Sequence, residues 1–204
     1  MTPADLDAIR SRIHRAYSAV RDASGSGYKT SYQVEGTEFT TNFKAVGLKA
    51  PEQLEDDFLN LFLWTWSLKD YLKSSFQAKG LRGEFVEDEA NKCQALTYVA
   101  DIANRAKHGE LRKSRSGEYA KLIDVGFNVP QECIAWFAVA GPDVTVCIKD
   151  PQMVEIRATV ETKSGARFEA LSVLKEAMEC WETKVLPQIC CLTIHSTRSS
   201  SLDG

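Results

Sequence analysis

The sequence has no long hydrophobic run and no excess of positive charge. None of its apolar stretches approaches the ~20 residues that a membrane-spanning helix needs, so we expect no membrane partner. The first residues show neither a basic start nor an apolar run, which argues against a secretory signal and favours a cytoplasmic protein. A formal net charge of −3 excludes a protein that is basic overall, although a local basic patch is compatible with it.

Cysteine is scattered and the common catalytic motifs are missing. The six cysteines form no C-x-x-C pair, and two of them are adjacent, which is a poor geometry for two ligands of one zinc ion. We therefore expect them to be small, buried and reduced rather than metal ligands or redox groups. The sequence matches no nucleotide-binding loop, nucleophile elbow or metalloprotease motif, so it predicts neither a metal nor a cofactor.

The composition is that of an ordinary globular protein. The chain has 204 residues, 44% of them hydrophobic and 26% charged, which is enough for one domain or two very small ones. We predict a single domain over residues 1–190. The serine-rich residues 191–204 are predicted to be a disordered tail.

Apolar residues at helical spacing predict four helices, over residues 3–24, 54–78, 87–108 and 168–185. The second of these is apolar on two sides, which is typical of a central helix. It lies either inside the core or against a second subunit. In the third, acidic residues at the start and basic residues at the end match the helix macrodipole.

Between the third and the last helix, the apolar period changes from helical to two. Alternation over residues 134–138, 144–148 and 154–160, separated by turn residues, predicts three antiparallel strands. Residues 119–129 are a candidate fourth strand, and residues 28–51 are predicted to be a loop with short extended pieces. The predicted fold class is α+β, mainly a helical bundle with an inserted three- to four-stranded antiparallel meander before the closing helix.

His108 stands at the end of the third predicted helix. It differs from His14 and His195, whose surroundings indicate solvated side chains. At about 100° per residue, Asp101, Asn104 and His108 share a helical arc only about 60° wide. Their side chains are therefore expected to converge on one side of the helix.

Lys107 falls on the core side of the same helix by this geometry. A lysine there needs a carboxylate partner or must extend to the helix end, and Asp70 on the second helix is the most economical partner. The functional hypothesis is a polar cleft between the second and third helices, formed by Asp70, Asp101, Asn104, Lys107 and His108. The alternative is a helix end whose lysine and histidine simply neutralise the dipole.

The segment around His108 is locally basic in an acidic chain. Its cationic residues are Arg105, Lys107, Arg112, Lys113 and Arg115. A loop that presents them around a cleft would suit phosphate binding. The alternative is a solvated loop, since such loops are commonly rich in lysine and arginine.

Three sequence features resemble bacterial and phage proteins of the HEPN-like type. They are Asn104-Arg105-Ala106-Lys107-His108 at a helix end, Leu68-Lys69-Asp70-Tyr71 on an earlier helix, and Trp181 on the closing helix. The resemblance covers roughly residues 50–110 and 166–188, with the strands as an insertion. It implies a helical bundle, commonly dimeric, of the kind found among toxins, antiviral defence proteins and nucleotide-binding accessory domains.

The resemblance also implies roles for a histidine and an arginine. In the family's ribonuclease members the arginine stands shortly before the histidine and fixes the scissile phosphate, while the histidine supplies acid–base chemistry. Here His108 matches, but the corresponding window holds Asp101, Ile102 and Ala103. The nearest arginine is Arg105, so the sequence departs from the ribonuclease pattern.

Two functional hypotheses follow. The first is a HEPN-like protein, non-catalytic or weakly active, that binds a partner or an anionic ligand as a homodimer. The alternative is a metal-independent RNA endonuclease of a defence or toxin–antitoxin system. In the alternative, His108 would be the general acid or base, and Lys107 and Arg105 would stabilise the phosphate charge. Asn104 and Asp101 would orient the histidine.

The predicted site therefore has two sets of residues. The candidate catalytic residues are His108, Lys107 and Asn104. The candidate binding residues are Asp70, Asp101, Arg105, Arg112, Lys113 and Arg115.

Overall fold

The structure is a computed structural model that describes residues 3–33 and 40–187. Within this part the chain has the α+β class, with helices and two separate sheets. The helices are α1 (Pro3–Val20), α2 (Pro51–Ala78), α3 (Glu84–Asn91), α4 (Gln94–His108) and α5 (Ala170–Cys180). The strands are β1 (Tyr28–Gln33), β2 (Thr40–Val46), β3 (Lys121–Asn128), β4 (Ile134–Ala140), β5 (Asp143–Ile148), β6 (Glu155–Glu161) and β7 (Arg167–Glu169). The predicted tail, residues 191–204, lies outside the described residues.

α2 is the centre of the larger hydrophobic core. It contacts α1, α3, α4, α5 and β3. One apolar side is buried, whereas Leu59 and Leu63 on the other side are half-buried. Trp66 and Trp181 are among the largest fully buried side chains. The indole N–H of Trp181 donates a hydrogen bond to the Thr65 carbonyl at 3.1 Å, which fixes the end of α5 against α2. α2 is therefore a central helix of this chain's core.

The single helix predicted over residues 87–108 is wrong, because it is two helices. Between α3 and α4, Cys93 has an extended backbone with φ −103° and ψ 116°. Cys93 forms a disulfide with Cys180, 87 residues further along the chain, at the end of α5. The prediction of reduced cysteines is thus wrong for this pair. Tertiary proximity brings the two sulfurs together, and their spacing along the chain does not reveal it.

Two other cysteines keep free thiols. Cys133 is buried and Cys147 is half-buried. The adjacent pair at 190 and 191 lies outside the described residues.

The predicted single antiparallel meander is also wrong. The hairpin of β4 and β5 is present, but the other edge of β5 pairs in parallel with β2, which precedes α2. This gives a four-stranded mixed sheet in the order β1-β2-β5-β4, and a separate antiparallel sheet in the order β3-β6-β7. A short helical turn at Pro151–Met153 stands between β5 and β6, which belong to different sheets.

A smaller core joins the two sheets. Its buried members are Ala23, Leu48, Cys133, Ile148 and Val154. Phe127 and Ile156 pack against both this cluster and the larger core, so the second sheet connects the two. No helix in the described part of the chain is long and apolar enough to cross a membrane.

Candidate functional site

The end of α4 and the loop after it form an open cleft of about 700 Å³. Its lining residues are Asn104, His108, Glu110, Leu111, Arg112 and Lys113. The chain turns back at Gly109, whose φ of 75° is accessible to glycine and strained for other residues. The structure therefore brings together four residues predicted from the sequence: Asn104, His108, Arg112 and Lys113.

Arg112 and Lys113 line this cleft, and the exposed Lys107 stands next to His108 in the sequence. Among the described residues, no ion pair is formed by Lys107, Arg112 or Lys113, and all three side chains are exposed. His108 is exposed beside them. The carboxylate in the cleft lining is Glu110. The cleft thus carries a local excess of positive charge on a chain whose net charge is −3.

Asp101 holds the loop that follows the cleft. This carboxylate is fully buried in α4 and accepts hydrogen bonds from the Ser114 hydroxyl at 2.5 Å, the Ser116 hydroxyl at 2.5 Å and the Arg115 backbone N–H at 2.7 Å. The Ser114 oxygen in turn accepts from the Tyr119 N–H at 3.1 Å. Asp101 therefore fixes residues 114–116, and the predicted contact that orients His108 is not what the structure shows.

Arg115 adds a second attachment of the same loop. Its guanidinium lies 5.1 Å from the ring centre of Trp66, a cation–π contact. It donates to Glu87 Oε2 at 2.7 Å and to Asn91 Oδ1 at 3.3 Å. The charge of Arg115 is thus satisfied within the fold, and this residue does not line the cleft.

Glu87 connects this attachment to α2. Its other oxygen accepts from Lys73 Nζ at 2.5 Å. Burial by itself would raise the pKa of the Glu87 carboxyl, but the hydrogen bonds and charges of Lys73 and Arg115 outweigh burial and lower its pKa to about 2. The same contact raises the pKa of the Lys73 amine. The carboxylate is therefore ionised throughout the neutral range and holds α2, α3 and the loop together.

The predicted pair of Asp70 and Lys107 is wrong. Asp70 is 52% exposed and forms its ion pair with the neighbouring Lys69. α4 is buried from Ala95 to Ala103 and exposed from Ala106 onward, because its last turn extends beyond the helices that cover it. Helical geometry places Lys107 on the same side of α4 as its buried residues, but the last turn of the helix has no core beside it. Asp70 therefore has no part in the cleft.

Arg105 lies half-buried one residue after Asn104. Its Nε atom is buried and has no hydrogen-bond partner among the described residues. It is not among the lining residues of the cleft.

Sequence reasoning missed the groups that hold the loop: Ser114, Ser116, Glu87 and Trp66. One signal was present. Asp101 is the sole charged residue between Ala95 and Asn104, surrounded by apolar neighbours. A carboxylate in that position is buried and must accept several hydrogen bonds, which the hydroxyls of a nearby Ser-x-Ser segment provide.

Comparison of the chain with protein-family models, with curated protein sequences and with solved structures found no significant match. The fold and site together define an α+β protein with an open cationic cleft at the end of a buried helix. Within the described residues, no cluster of three histidine, cysteine, aspartate or glutamate side chains has the arrangement of a metal site.

Proposed function

We propose that this is a HEPN-like protein whose cleft at the end of α4 binds an anionic, phosphate-bearing ligand with little or no turnover. The observation that carries the proposal is the pair Arg112 and Lys113, which form no ion pair among the described residues and line a cleft of about 700 Å³ together with His108. Lys107 is not a lining residue, but it is exposed and precedes His108 directly in the sequence. Arginine binds phosphate through two parallel hydrogen bonds, and lysine adds a mobile point charge. Asn104, which also lines the cleft, offers an amide donor.

The attachment of the loop supports binding. Asp101 and Glu87 hold residues 114–116, directly after the cationic pair. A loop that is already ordered loses less conformational freedom when a ligand binds, so more of the interaction energy appears as affinity. A purely solvated basic loop needs no such buried anchor.

Binding is tested with a fluorescently labelled single-stranded RNA oligonucleotide and, separately, with inorganic pyrophosphate, in EDTA. The variant is the double substitution Arg112→Gln with Lys113→Gln. Its matched control, Lys175→Gln with Lys184→Gln, removes the same charge from two exposed positions that do not line the cleft. We expect the cleft variant to weaken binding by about tenfold or more, as the loss of two phosphate contacts implies.

The salt dependence gives a second measurement. Each neutralised phosphate of a single strand contributes a slope of about 0.7 in log K against log salt, so the cleft variant should lower the slope by about 1.4. Equal weakening in the cleft variant and the control would contradict the proposal, because it would mean that only the overall charge matters.

The alternative function is metal-independent RNA cleavage, favoured by the exposure of His108 in the cleft. An imidazole there would take the proton of a 2′-hydroxyl, whose oxygen bonds to phosphorus and gives a 2′,3′-cyclic phosphate. The bond from phosphorus to the 5′-oxygen breaks, and the imidazolium or water returns a proton to that oxygen while Lys107 and Arg112 stabilise charge on the phosphate. In HEPN-like ribonucleases an arginine shortly before the histidine binds the scissile phosphate. The corresponding positions here cannot supply that charge, since Asp101 is a buried carboxylate and Ile102 and Ala103 are uncharged.

Cleavage is tested by incubating the protein with total RNA in EDTA. Cleavage that disappears in His108→Ala, while Lys175→Gln keeps it, would favour the enzyme. Intact RNA at high protein concentration, together with tight binding, would favour the non-catalytic protein. The homodimer expected from the HEPN-like resemblance is likewise a proposal.

A further inference from the structure

β4 is an edge strand with both faces open to solvent. It pairs with β5 on one side, and no strand of the described chain pairs with its other side. Ala135 to Ala140 are all exposed. The outer edge of such a strand presents a row of backbone N–H and C=O groups that are available to another strand.

The side chains of β4 are apolar throughout. The strand reads Ile-Ala-Trp-Phe-Ala-Val-Ala and contains no charged residue. Trp136 is 51% exposed, Phe137 is 70% exposed and Val139 is 63% exposed. Solvent-exposed strands of monomeric proteins rarely combine three such side chains.

β4 also lacks the features that protect a sheet edge from pairing. Edge strands usually carry lysine, proline or a central bulge. The register of β4 shifts only between Ile134 and Trp136, and from Trp136 to Ala140 its pairing with β5 is regular. The other edge of the same sheet, β1, carries Lys29 and polar side chains, so the contrast is within one sheet.

We propose that β4 binds β4 of a second copy of this chain in antiparallel orientation, across a two-fold axis at Ala138. The two four-stranded sheets then form one continuous eight-stranded sheet. This inference does not depend on the proposed ligand of the α4 cleft.

The sequence of β4 is complementary to itself in this register. Antiparallel pairing centred on Ala138 places Phe137 opposite Val139 and Trp136 opposite Ala140, so each large ring faces a smaller side chain. An aromatic side chain opposite a β-branched one is a favourable cross-strand pair. Because the strand is uncharged, self-pairing places no like charges opposite each other, which favours a second copy over a strongly charged partner.

The exposed area is sufficient for a weak dimer. Since an aromatic side chain buries 150–250 Å², the three large side chains together expose on the order of 350 Å² in each copy. Edge-to-edge pairing leaves the two faces of β4 in water and covers only part of this area, so the total buried surface is below about 1,000 Å², in the range of weak interfaces. We therefore expect a weak dimer with a dissociation constant on the order of 10–100 µM.

The first test is sedimentation velocity of the full chain from about 1 to 200 µM, a range chosen around that dissociation constant. The variant is Ala138→Lys, which places two ammonium groups opposite each other at the two-fold axis without touching the core. Its matched control is Tyr32→Lys, at a 51% exposed residue on the opposite edge strand. We expect Ala138→Lys to raise the dissociation constant at least thirtyfold and Tyr32→Lys to change it less than threefold. Circular dichroism melts of both variants establish that they fold.

The second test is cross-linking of Ala138→Cys. Directly opposite residues of an antiparallel pair have Cα atoms about 4.5–5.5 Å apart, within the range of a disulfide. We expect this variant to form a covalent dimer under mild oxidation, and Tyr32→Cys to form none.

Three results would overturn the proposal. The first is a monomer at every concentration. The second is a dimer that survives Ala138→Lys, because it would use another surface. The third is a monomer whose β4 amides are protected from hydrogen exchange at low concentration, because a segment of the same chain would then occupy the edge.

Discussion

Asp101 offers the sharpest test of how the cleft is built. Its buried carboxylate accepts three hydrogen bonds, two from serine hydroxyls and one from a backbone N–H. A hydrogen bond to a charged group contributes about 1.5–3 kcal/mol, and part of this is recovered when the freed loop groups bind water. We therefore expect Asp101→Ala to lower the free energy of unfolding by about 3–5 kcal/mol.

A graded variant separates the hydrogen bonds from the loss of volume. Asp101→Asn keeps one acceptor oxygen and the shape of the side chain, so we expect it to cost about 1–2 kcal/mol, less than alanine. Asp88→Ala, at an exposed position on α3, is the control and should change stability by less than about 0.5 kcal/mol. Urea unfolding at pH 7, followed by circular dichroism, measures all three.

The same variants should separate local from global effects. Hydrogen exchange at residues 114–119 should accelerate in Asp101→Ala under native conditions, because these amides lose their anchor. The affinity of the cleft for anions should also fall in Asp101→Ala, because the loop that follows the cleft is no longer held in place. A cost below about 1 kcal/mol for Asp101→Ala, or unchanged exchange in the loop, would refute the reasoning, since the carboxylate would then be acting as an ordinary exposed group.

Two further predictions concern the ion pairs of Glu87 and the disulfide of Cys93 and Cys180, which connect different elements of the fold. The pKa of Glu87 is lowered to about 2 in the folded protein, so its contribution is present above the unfolded pKa near 4.5 and is lost as the pH falls toward 2. In acid unfolding, wild type should lose about 2–3 kcal/mol more than Glu87→Gln between pH 5 and 2, and parallel curves would contradict this. Because Cys93 and Cys180 are 87 residues apart, replacing both with alanine should cost about 4–5 kcal/mol by urea unfolding. A cost below about 1 kcal/mol would mean that the cross-link does not restrict the unfolded chain.

Local sequence pattern was sufficient for most helices and strands. α1 and α2 follow directly from apolar periodicity, although α2 begins at Pro51, three residues before its predicted start. The break before α4 was not visible, because Cys93 is held between two helices by a disulfide that depends on tertiary contact. Strand partners were missed for a similar reason. β2 pairs with β5 across a hundred intervening residues, and no local pattern specifies that contact.

The candidate site was predictable where its residues are neighbours in sequence. Asn104, His108, Arg112 and Lys113 lie within ten positions of one another, so a helix end and one turn bring them to one cleft. The prediction that Lys107 is buried was wrong, because the angular position of a residue around a helix does not show where along the helix the surrounding core ends. The role of Asp101 depends on where the following loop folds back, which its own helix does not determine.

The disulfide of Cys93 and Cys180 has a mechanical consequence. It closes a ring between two residues 87 positions apart, and this ring contains all of α4, the cationic cleft and β4. When the chain is pulled from its two ends, this ring cannot extend, which removes about 290 Å of contour length from the force–extension record until a reductant is added. A single backbone cut near Gly117 would likewise leave both fragments covalently joined, so proteolytic nicking of the loop would not release the cleft from the rest of the molecule.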